Sequence, residues 1–583
     1  MATDQTQAAA DTIPLTFFDQ PTAEAVAGVG IEAPTADPVA DALASIEGLM
    51  SAGHPLAVAY SAGKDSSALL NLVCEAALQR QEAGLSVPPM VVTHARVPGA
   101  DNPIMAHFAE GEIRKIRRFS ADHGLPLRVE VSAPKPVDRP LPAIISGRQM
   151  PPHPGGKRNC TVDWKIRPNR EGLKKALSLL NDSSLEEPVV LTGTRYAEST
   201  GRAARMTQRG EDTLASRGED GGLKAAPIAR WGLEDVWAYL IEAGRDSERP
   251  SFSDFEDLLT LYADSEGEGC GVVADLKAEG RPGAPCGARH GCWSCTAVSR
   301  DDSFREMIEA DPARARYRPL LAVRDWLHSL VQDWSARSYV GPVDADGWVK
   351  LAPQRFDPAT CRQLLRVMLS IQADTGVRLL DHTDLVTIDA YWSLKGYASR
   401  PFEAHQIAAE IDAGARYAVP DLPPKPDTTR PAIRYAWVDP SVRYTRIDPE
   451  FLGHWTHGLR DPLREAFEEG ATESLGDRDV LAVNTGDSFS VDPEGAALFQ
   501  ELELPQLLAE TTGDEDPTFA IRQFLNYGTI EIGRAQRRNV DRKLAETTAL
   551  HRAGIRPDCD PADLAADGAA TVEPRSGQVA LPL

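Results

Sequence analysis

Short apolar runs alternate with amphipathic helical patterns between residues 56 and 192, and this alternation constrains the fold more than any other feature of the chain. The runs typical of buried strands are 56–60, 90–97, 127–131 and 189–192, and the helical patterns between them are 66–81, 103–123 and 162–180. Strands and helices in this order form a parallel sheet that is covered by helices on both faces. The sequence therefore predicts an α/β fold with a parallel-sheet core.

The predicted α/β region begins with an amphipathic helix at residue 38 and ends near residue 245. After the fourth apolar run, residues 205–222 are charged and rich in glycine, which predicts a loop. Residues 227–229 then predict one more short strand, and residues 233–243 predict a helix.

The segment Tyr-Ser-Ala-Gly-Lys-Asp-Ser-Ser at residues 60–67 lies between a predicted strand and a predicted helix, where a parallel sheet places its ligand. Small residues let backbone N–H groups approach an anion, and the helix N-terminus adds roughly half a positive charge. Lys64 adds a full charge, and the serine hydroxyls can donate to phosphate oxygens. Asp65 can cap the helix or help to place Mg²⁺ through water. The alternative is a plain strand-to-helix turn with a lysine at its rim.

This loop resembles the PP-loop, Ser-Gly-Gly-Lys-Asp-Ser, of the ATP pyrophosphatase superfamily, whose members cleave ATP between the α and β phosphates. It is not a P-loop, because the first glycine of that motif is absent. The resemblance implies catalytic roles for Lys64 and Asp65 and an ATP-binding set of Ser61, Gly63, Lys64, Asp65 and Ser66. Ala62 replaces the second glycine of the motif, and its methyl group is expected to fit only if its φ is negative.

A second candidate for anion binding, Gly-Thr-Arg-Tyr-Ala-Glu-Ser-Thr-Gly-Arg at residues 193–202, follows the fourth strand. Arg195 and Arg202 can hold phosphate or sulfate oxygens through paired hydrogen bonds, and Gly193 would let a nucleotide approach the backbone. The segment resembles one that lies across the site from the PP-loop in relatives of the phosphoadenosine phosphosulfate (PAPS) reductases. The alternative is an ordinary solvated loop with scattered arginines.

Four cysteines form a candidate metal centre. Cys286, Cys292 and Cys295 follow the spacing C-x5-C-x2-C, and Cys160 is the natural fourth ligand. A CxxC pair places two thiolates on one turn, and a four-ligand site needs two more sulfurs. We favour a 4Fe–4S cluster over Zn²⁺, although the spacing suits both. A redox-active CxxC pair and cysteines without a role are the alternatives, and Cys270 is a further candidate ligand.

Together these motifs resemble the DndC family of DNA phosphorothioation sulfurtransferases, over about residues 50–380. The resemblance also rests on Asp101 to Pro103 and on Trp-Lys-Ile-Arg-Pro at residues 164–168. It implies an ATP pyrophosphatase fold whose iron–sulfur cluster is bound by Cys160, Cys286, Cys292 and Cys295. It also implies an enzyme that works with a cysteine desulfurase and other phosphorothioation subunits to replace a nonbridging oxygen of a DNA phosphate with sulfur.

Three other functions are the alternatives to this one. A PAPS or adenylylsulfate reductase would need a C-terminal Glu-Cys-Gly-x-His nucleophile or a paired Cys-Cys, and the sequence has neither. A tRNA thiolase would be expected to carry a basic RNA-binding extension. A non-catalytic PP-loop scaffold subunit is supported by the substitution at Ala62 alone.

The resemblance and the composition together predict six segments. They are a disordered leader (1–37), a PP-loop ATP pyrophosphatase domain (38–245), a cysteine-cluster region (246–300), a mostly helical region (301–415), a proline-rich linker (416–431) and an appended C-terminal region (432–583). The leader carries no positive charge, and the linker is stiffened by five prolines.

Charge limits the ways in which the chain can bind DNA. The chain has 62 basic and 86 acidic residues and a net charge of −24, which argues against nonspecific coating of nucleic acid. Residues 157–175 are locally basic and contain Cys160, so they are a candidate DNA-facing surface, and a second basic run lies at 534–543. Solvated helix faces are the alternative. No apolar stretch is long enough for a membrane span and no basic residue precedes Lys64, so we expect a cytoplasmic protein without a membrane partner.

Overall fold

The structure is a computed structural model of the 583-residue chain. It describes residues 37–153, 160–178, 186–218, 221–245, 249–265, 290–343, 348–422, 434–437, 472–475, 478–481, 489–511, 515–552 and 554–559. Most of the predicted leader, most of the predicted linker, and the candidate ligands Cys270 and Cys286 lie outside these ranges.

A six-stranded, mostly parallel sheet forms the α/β core. Its strands are β1 (Leu56–Ala59), β2 (Met90–Ala95), β3 (Leu127–Ser132), β4 (Val189–Leu191), β5 (Ser216–Arg217) and β6 (Leu223–Ala225), in the order β3-β2-β1-β4-β6-β5. β1 pairs in parallel with β4, and β4 pairs in parallel with β6, whereas β5 is antiparallel to β6. Leu56, Val58 and Leu191 are fully buried, as expected for strands covered on both faces. The predicted α/β fold is confirmed.

Helices follow the strands in the predicted alternation. They are α1 (Pro38–Ser51), α2 (Lys64–Glu82), α3 (Pro103–His123), α4 (Pro140–Ile145), α5 (Arg167–Ser178), α6 (Thr200–Arg209), α7 (Leu233–Arg245) and α8 (Glu256–Ser265), with a π-helical segment at Val162–Ile166. Asp37 starts α1 by accepting hydrogen bonds from the N–H groups of Val39 and Ala40.

Two local predictions are wrong. The loop predicted over 205–222 contains the second half of α6, which Ser199 caps by accepting a hydrogen bond from the Arg202 N–H at 3.2 Å. The charged composition therefore belongs to an exposed helix. The last parallel strand is Leu223–Ala225 rather than 227–229, and Pro227 has no N–H group with which to continue the ladder.

Two compact units divide the described chain. The first unit comprises residues 1–92, 119–128 and 182–252, and the second comprises 93–118, 129–181 and 253–583. The phosphate loop and the segment after β4 belong to the first unit, whereas Cys160, Cys292 and Cys295 belong to the second.

The later part of the second unit is largely helical where the structure describes it. The helices are Asp302–Glu309, Arg318–Gln332, Pro358–Thr375, His382–Lys395, Glu403–Asp412, Pro493–Leu498, Leu504–Glu510, Phe519–Asn526 and Arg534–Arg552, and Phe499–Glu503 is π-helical. The short strands are β7 (Val340–Val343), β8 (Trp348–Leu351), β9 (Arg434–Trp437), β10 (Thr472–Leu475), β11 (Arg478–Leu481), β12 (Ser490–Val491) and β13 (Ile530–Glu531). None of the helices in the described ranges combines the length and the apolar character that crossing a membrane requires.

One apolar core joins the helix His382–Lys395 to residues 489–544. Phe402 lies at its centre, with its ring centroid 5.6 Å from that of Phe499 and 5.5 Å from that of Phe524. Aromatic side chains buried together in this way dominate the stability of a core. The predicted domain borders stay predictions, but removing everything after residue 432 would take away one side of this core.

Candidate functional site

The phosphate loop lies at the point where the strand order of the sheet reverses. β1 is followed by residues 60–63 and α2, and its parallel neighbour β4 is followed by residues 192–199. The sequential order 3-2-1 turns to 4 between these two strands. In open α/β sheets, the crevice outside the carboxyl ends of such strands is where ligands bind.

The start of α2 has no side-chain cap. Gly63 is the N-cap residue, with extended backbone, and has no side chain with which to accept from the first N–H groups of the helix. No side-chain carboxylate or hydroxyl competes at this helix start, and the helix dipole favours negative charge there.

Two serines tie the loop together before any ligand binds. The Ser66 hydroxyl donates to the Gly63 carbonyl oxygen at 2.9 Å and accepts from the Ser61 N–H at 3.2 Å. The Ser61 and Ser66 hydroxyl oxygens lie 3.0 Å apart. The loop is thus held by its own side chains. A phosphate would therefore bind without the entropy cost of ordering the loop.

Ala62 contradicts the expectation of a negative φ. Its φ is 61°, in the left-handed region, and its methyl group is fully buried. The chain must turn sharply between β1 and α2, and glycine makes this turn without steric cost. Alanine adopts the same backbone here at a cost, so the substitution retains the shape of the loop.

Lys64 and Arg195 converge on Asp65. The Lys64 Nζ lies 3.2 Å from Asp65 Oδ2, and the Arg195 Nε donates to Asp65 Oδ1 at 2.6 Å. Arg195 is only 3% exposed, and its second nitrogen donates to the Trp231 carbonyl oxygen at 3.2 Å. Both oxygens of Asp65 therefore position cations beside the start of α2.

Gly193 has a structural role that differs from the predicted one. A Cβ atom at this position would lie 2.9 Å from the carbonyl carbon and oxygen of Asp65 and 3.0 Å from the Ser66 nitrogen. Glycine is therefore required for the first turn of α2 to pack against the end of β4. Close approach of a nucleotide to Gly193 stays a prediction.

Arg202 takes part in a surface network. It forms an ion pair with Glu198, whose other carboxylate oxygen accepts from the Arg195 N–H at 3.1 Å. With 41% of its side chain exposed, Arg202 could reach a ligand only by exchanging this partner. Its predicted role in phosphate binding stays a prediction.

Three of the four predicted cysteine ligands are neighbours in the second unit. Cys160 and Cys292 pack against Val97, Ala100 and Trp164, and Cys295 is close enough to Cys292 for its charge to affect the pKa of Cys292. The fourth, Cys286, lies outside the described residues. Within the described ranges no group of three or more His, Cys, Asp or Glu side chains converges closely enough to hold a metal ion.

Burial keeps the Cys292 thiol protonated. Loss of solvent, together with negative charge on Asp101, Cys295 and Cys160, raises its pKa to about 12 in spite of the lowering effect of Lys165. A bound cation would reverse this balance, because metals stabilise thiolates. Cys160, Cys292 and Cys295 are half-buried. Thiol sulfurs contributed by two segments are the type of donor that zinc or an iron–sulfur cluster requires, so these residues suit such a site by their chemistry, although those described do not form a complete one.

Trp293 fixes the CxxC turn to the loop after β2. Its backbone N–H donates to the Ala100 carbonyl oxygen at 3.0 Å, and its indole Nε1 donates to the Gly99 carbonyl oxygen at 2.7 Å. Only 1% of Trp293 is exposed. The CxxC turn is therefore held to the loop after β2 by a buried side chain.

Arg324 is the residue that sequence reasoning missed. Its fully buried guanidinium donates to the carbonyl oxygens of Cys295 at 3.3 Å and of Ser299 at 2.7 Å, and also to that of Val298. It therefore holds the backbone that follows the CxxC pair. The sequence pattern could have indicated this role. Arg324 lies on the apolar face of the helix Arg318–Gln332, and a charged side chain that is buried there needs a hydrogen-bond partner.

The basic stretch beside Cys160 forms an exposed helical face. Lys157 and Arg158 lie outside the described residues, while Arg167, Arg170, Lys174 and Lys175 are exposed on α5. A cavity of about 220 Å³ lies beside Asp101 and Trp293 in the same unit, and its lining includes Arg96, Arg316 and Arg378. The same lining includes Asp101 and Glu110, and Glu110 pairs with Arg96 at 2.7 Å, so Arg316 and Arg378 supply the unbalanced positive charge of this cavity.

Comparisons with known proteins add little to this geometry. No family model matches the sequence, and no curated protein matches it either. Among solved structures, the chain is similar to the FMN adenylyltransferase of Candida glabrata in complex with FMN and the ATP analogue AMPCPP, with 14% sequence identity and a TM-score of 0.20. The match covers 37% of this chain and 62% of the adenylyltransferase. A TM-score this low does not bear on the fold or the function of the chain.

Proposed function

We propose that this protein is an ATP-dependent sulfurtransferase that activates a DNA backbone phosphate by adenylation and then replaces one of its oxygens with sulfur. The observation that carries the proposal is the cationic pair Lys64 and Arg195, held on Asp65 at the uncapped start of α2. That arrangement suits the triphosphate of ATP and the pyrophosphate that leaves it.

In the first step a nonbridging oxygen of the DNA phosphate attacks the α-phosphorus of ATP. The bond from that phosphorus to the bridging oxygen of the β-phosphate breaks, and pyrophosphate leaves. Mg²⁺, when bound with ATP, would neutralise part of the charge of the phosphates. Lys64 and the positive end of the α2 dipole stabilise the charge that develops on pyrophosphate. Arg195 and Asp65 act as positioning residues in this scheme, because each holds another charged group in place.

In the second step a sulfur nucleophile attacks the activated DNA phosphorus and AMP leaves with the oxygen that attacked ATP. The nucleophile is the terminal sulfur of a persulfide, of the class that a cysteine desulfurase supplies. A two-electron reductant of the thiol class then cleaves the sulfur–sulfur bond and leaves the phosphorothioate. Other phosphorothioation subunits are the proposed partners that present the DNA.

The exposed basic face of α5 supports a polyanionic substrate. Arg167, Arg170, Lys174 and Lys175 place exposed positive charge on this helix in a chain that is otherwise strongly acidic. The cavity beside Asp101, with Arg96 and other arginines in its lining, offers a place for one phosphate near the cysteines.

Cys160, Cys292 and Cys295, with Cys286 as the predicted fourth ligand, would hold the iron–sulfur cluster. The cluster, when bound, would supply sulfur or electron relay chemistry or a structural crosslink. Arg324 and Trp293 would keep the CxxC turn in place while the cluster binds, because both fix its backbone through buried hydrogen bonds.

Turnover of ATP to AMP and pyrophosphate is the direct test. The wild type, Lys64→Ala and Arg217→Ala are compared with and without DNA. Loss of Lys64 should lower turnover about 100-fold or more, since it removes a charge that stabilises the transition state. Arg217 forms an exposed pair with Glu187 and serves as the matched control. Equal background rates in all three proteins would leave only the scaffold function.

Cluster content is tested separately. Anaerobically purified protein should absorb broadly near about 400 nm, as iron–sulfur proteins do. Cys292→Ser should lose the metal, whereas Cys361→Ser, at a buried cysteine in the helix Pro358–Thr375, should retain it. A colourless protein that contains one zinc would contradict the cluster, and metal loss in Cys361→Ser alone would contradict the ligand assignment.

A further inference from the structure

A second basic site lies in the second unit and uses none of the residues discussed so far as ligands. It is a cavity of about 360 Å³ lined by β7 and by parts of the helices His382–Lys395 and Arg534–Arg552. Its basic lining residues are Arg148, Arg355, Lys395, Lys543 and Arg556, with His551 beside them. Glu546 is the acidic side chain of the lining.

The side chains that line this cavity carry net positive charge, whereas the whole chain is negatively charged. The protein carries a net charge of −24, yet five of the cavity's lining residues are basic and one is acidic. Cations that face one another in a partly enclosed space repel, and this repulsion is relieved when an anion enters.

Lys395 shows the effect of that repulsion. Its Nζ donates to the Gly147 carbonyl oxygen and lies 5.4 Å from the centroid of the Tyr397 ring. Burial and the positive charges of Arg355, Lys543 and Arg148 together lower the pKa of Lys395 to about 7, against an opposing effect of Cys361. An anion among these groups would restore the charge on the lysine.

Arg148 is held rigidly at the cavity wall. Its guanidinium donates to the Tyr391 hydroxyl at 2.9 Å and stacks 4.8 Å from the centroid of the same ring. It also donates to the Val137 carbonyl oxygen and lies 3.8 Å from Asp138, which offsets part of its charge. A guanidinium fixed in this way loses little entropy when it binds a phosphate.

We propose that this cavity binds a compact diphosphate group, either as inorganic pyrophosphate or as part of a nucleotide. The basic side chains surround a concave space of the size that small ligands occupy, whereas nucleic acid is usually bound along extended basic grooves. Arginines and lysines together supply paired hydrogen bonds and point charges to phosphate oxygens. The proposal does not rest on the proposed function, because it involves none of residues 61–66 or 193–202.

Calorimetric titration of the full-length protein with inorganic pyrophosphate tests the proposal. All proteins carry Lys64→Ala, so that binding at the phosphate loop does not contribute to the signal. Arg355→Gln combined with Lys543→Gln should weaken binding at least about 10-fold, because two charge-assisted contacts are lost. Arg542→Gln is the matched control, since Arg542 is exposed, adjoins Lys543 on the same helix and does not line the cavity.

The outcomes separate the sources of the ligand. Binding of pyrophosphate that ADP displaces supports a diphosphate site, and binding of ADP alone supports the nucleotide as its source. Equal affinity in the double variant and the control overturns the proposal, as does binding of a single-stranded oligonucleotide but of neither small ligand. If the melting temperature of the double variant is lower than that of the control, the single Arg355→Gln variant is used instead, because Arg355 is exposed. Pyrophosphate affinity equal to that of the control would again overturn the proposal.

Discussion

The phosphate loop and the cysteine region differ in how their charged groups are stabilised. Asp65 lies between Lys64 and Arg195, so the loop balances its charges with its own side chains. Cys292, in contrast, is a half-buried thiol whose pKa is raised to about 12 by loss of solvent and by nearby negative charge. The loop is thus complete without a ligand, whereas the thiols need a cation before they can act as thiolates.

This difference reflects the ligand that each region suits. An anion site can be built from backbone N–H groups and paired cations that are stable when empty. A thiolate site gains its negative charges only together with the metal, so metal binding and local folding are coupled. The cysteine region should therefore depend on supporting contacts more than the loop does.

Arg324→Met should have the largest effect. It leaves the carbonyl oxygens of Cys295, Val298 and Ser299 without their buried donor, at a cost of about 3–5 kcal/mol. Urea unfolding measures the stability, and the reaction of Cys292 with a thiol reagent reports opening of the turn.

Arg300→Met is the control for this change, because Arg300 is exposed and pairs with Asp302 on the surface. It should alter the free energy of unfolding by less than about 0.5 kcal/mol. Similar losses in both variants would mean that the buried contacts of Arg324 do not support the cysteine region.

Gly193→Ala should be the next largest change and should affect the loop alone. The new methyl group would contact the backbone of Asp65 and Ser66 and push the start of α2 away from β4, at a cost of about 1–3 kcal/mol. We expect the KM for ATP to rise while the thiol reactivity of Cys292 stays the same.

Gly201→Ala makes the same chemical change inside α6, where the nearest atom to the new Cβ is the flexible end of Arg205 at 3.7 Å. Its KM should match that of the wild type. An unchanged KM in Gly193→Ala would show that close packing at this position does not shape the ATP site.

Lys395 extends the comparison to a second lysine. Lys64 lies beside the carboxylate of Asp65, whereas Lys395 donates to the carbonyl oxygen of Gly147. Its pKa falls from the ordinary 10.5 to about 7 in the folded protein, first through burial and then through neighbouring cations. Between these values the unfolded chain binds more protons than the native one, so stability should rise with pH. From pH 7 to 9 the free energy of unfolding should increase by about 1–2 kcal/mol, and Lys395→Met should lose most of that increase. The same slope in both proteins would assign it to other groups.

Ala62→Gly should have the smallest effect and should be stabilising. It removes the strain of a left-handed alanine but also a buried methyl group, so we expect a gain of about 0.5–1 kcal/mol. Thermal melting measures the gain. A lower melting temperature would mean that packing of the methyl group outweighs the strain.

Local patterns allowed much of the α/β core to be predicted. The predicted runs became β1 to β4: the continuous apolar sequences of β1 and β4 suit strands buried on both faces, whereas β3, at the end of the strand order, alternates apolar and charged residues and has none buried. The phosphate loop was found because its small residues and lysine adjoin a strand and a helix. Cys160 lies more than 100 residues before Cys292 and Cys295 in the sequence. It could still be grouped with them because a four-ligand metal site needs one sulfur more than the local cysteine run supplies.

Features set by long-range packing could not be predicted in the same way. The role of Gly193 depends on how closely α2 approaches β4, and the positive φ of Ala62 depends on the turn between strand and helix. Arg324 binds carbonyl oxygens about 25 to 29 residues away in sequence. The core around Phe402 is completed by side chains roughly 100 residues further along the chain.

The position of Phe402 has a consequence for how the protein is made. When the ribosome has synthesised the helix His382–Lys395 and Phe402, the aromatic residues Phe499 and Phe524 that cover them have not yet emerged. At a translation rate of roughly 5–20 residues per second, this apolar surface stays exposed for about 5–20 seconds. That is long enough for a chaperone to bind it. A chain that ends before residue 489 would leave the apolar surface around Phe402 uncovered, and such surfaces promote aggregation.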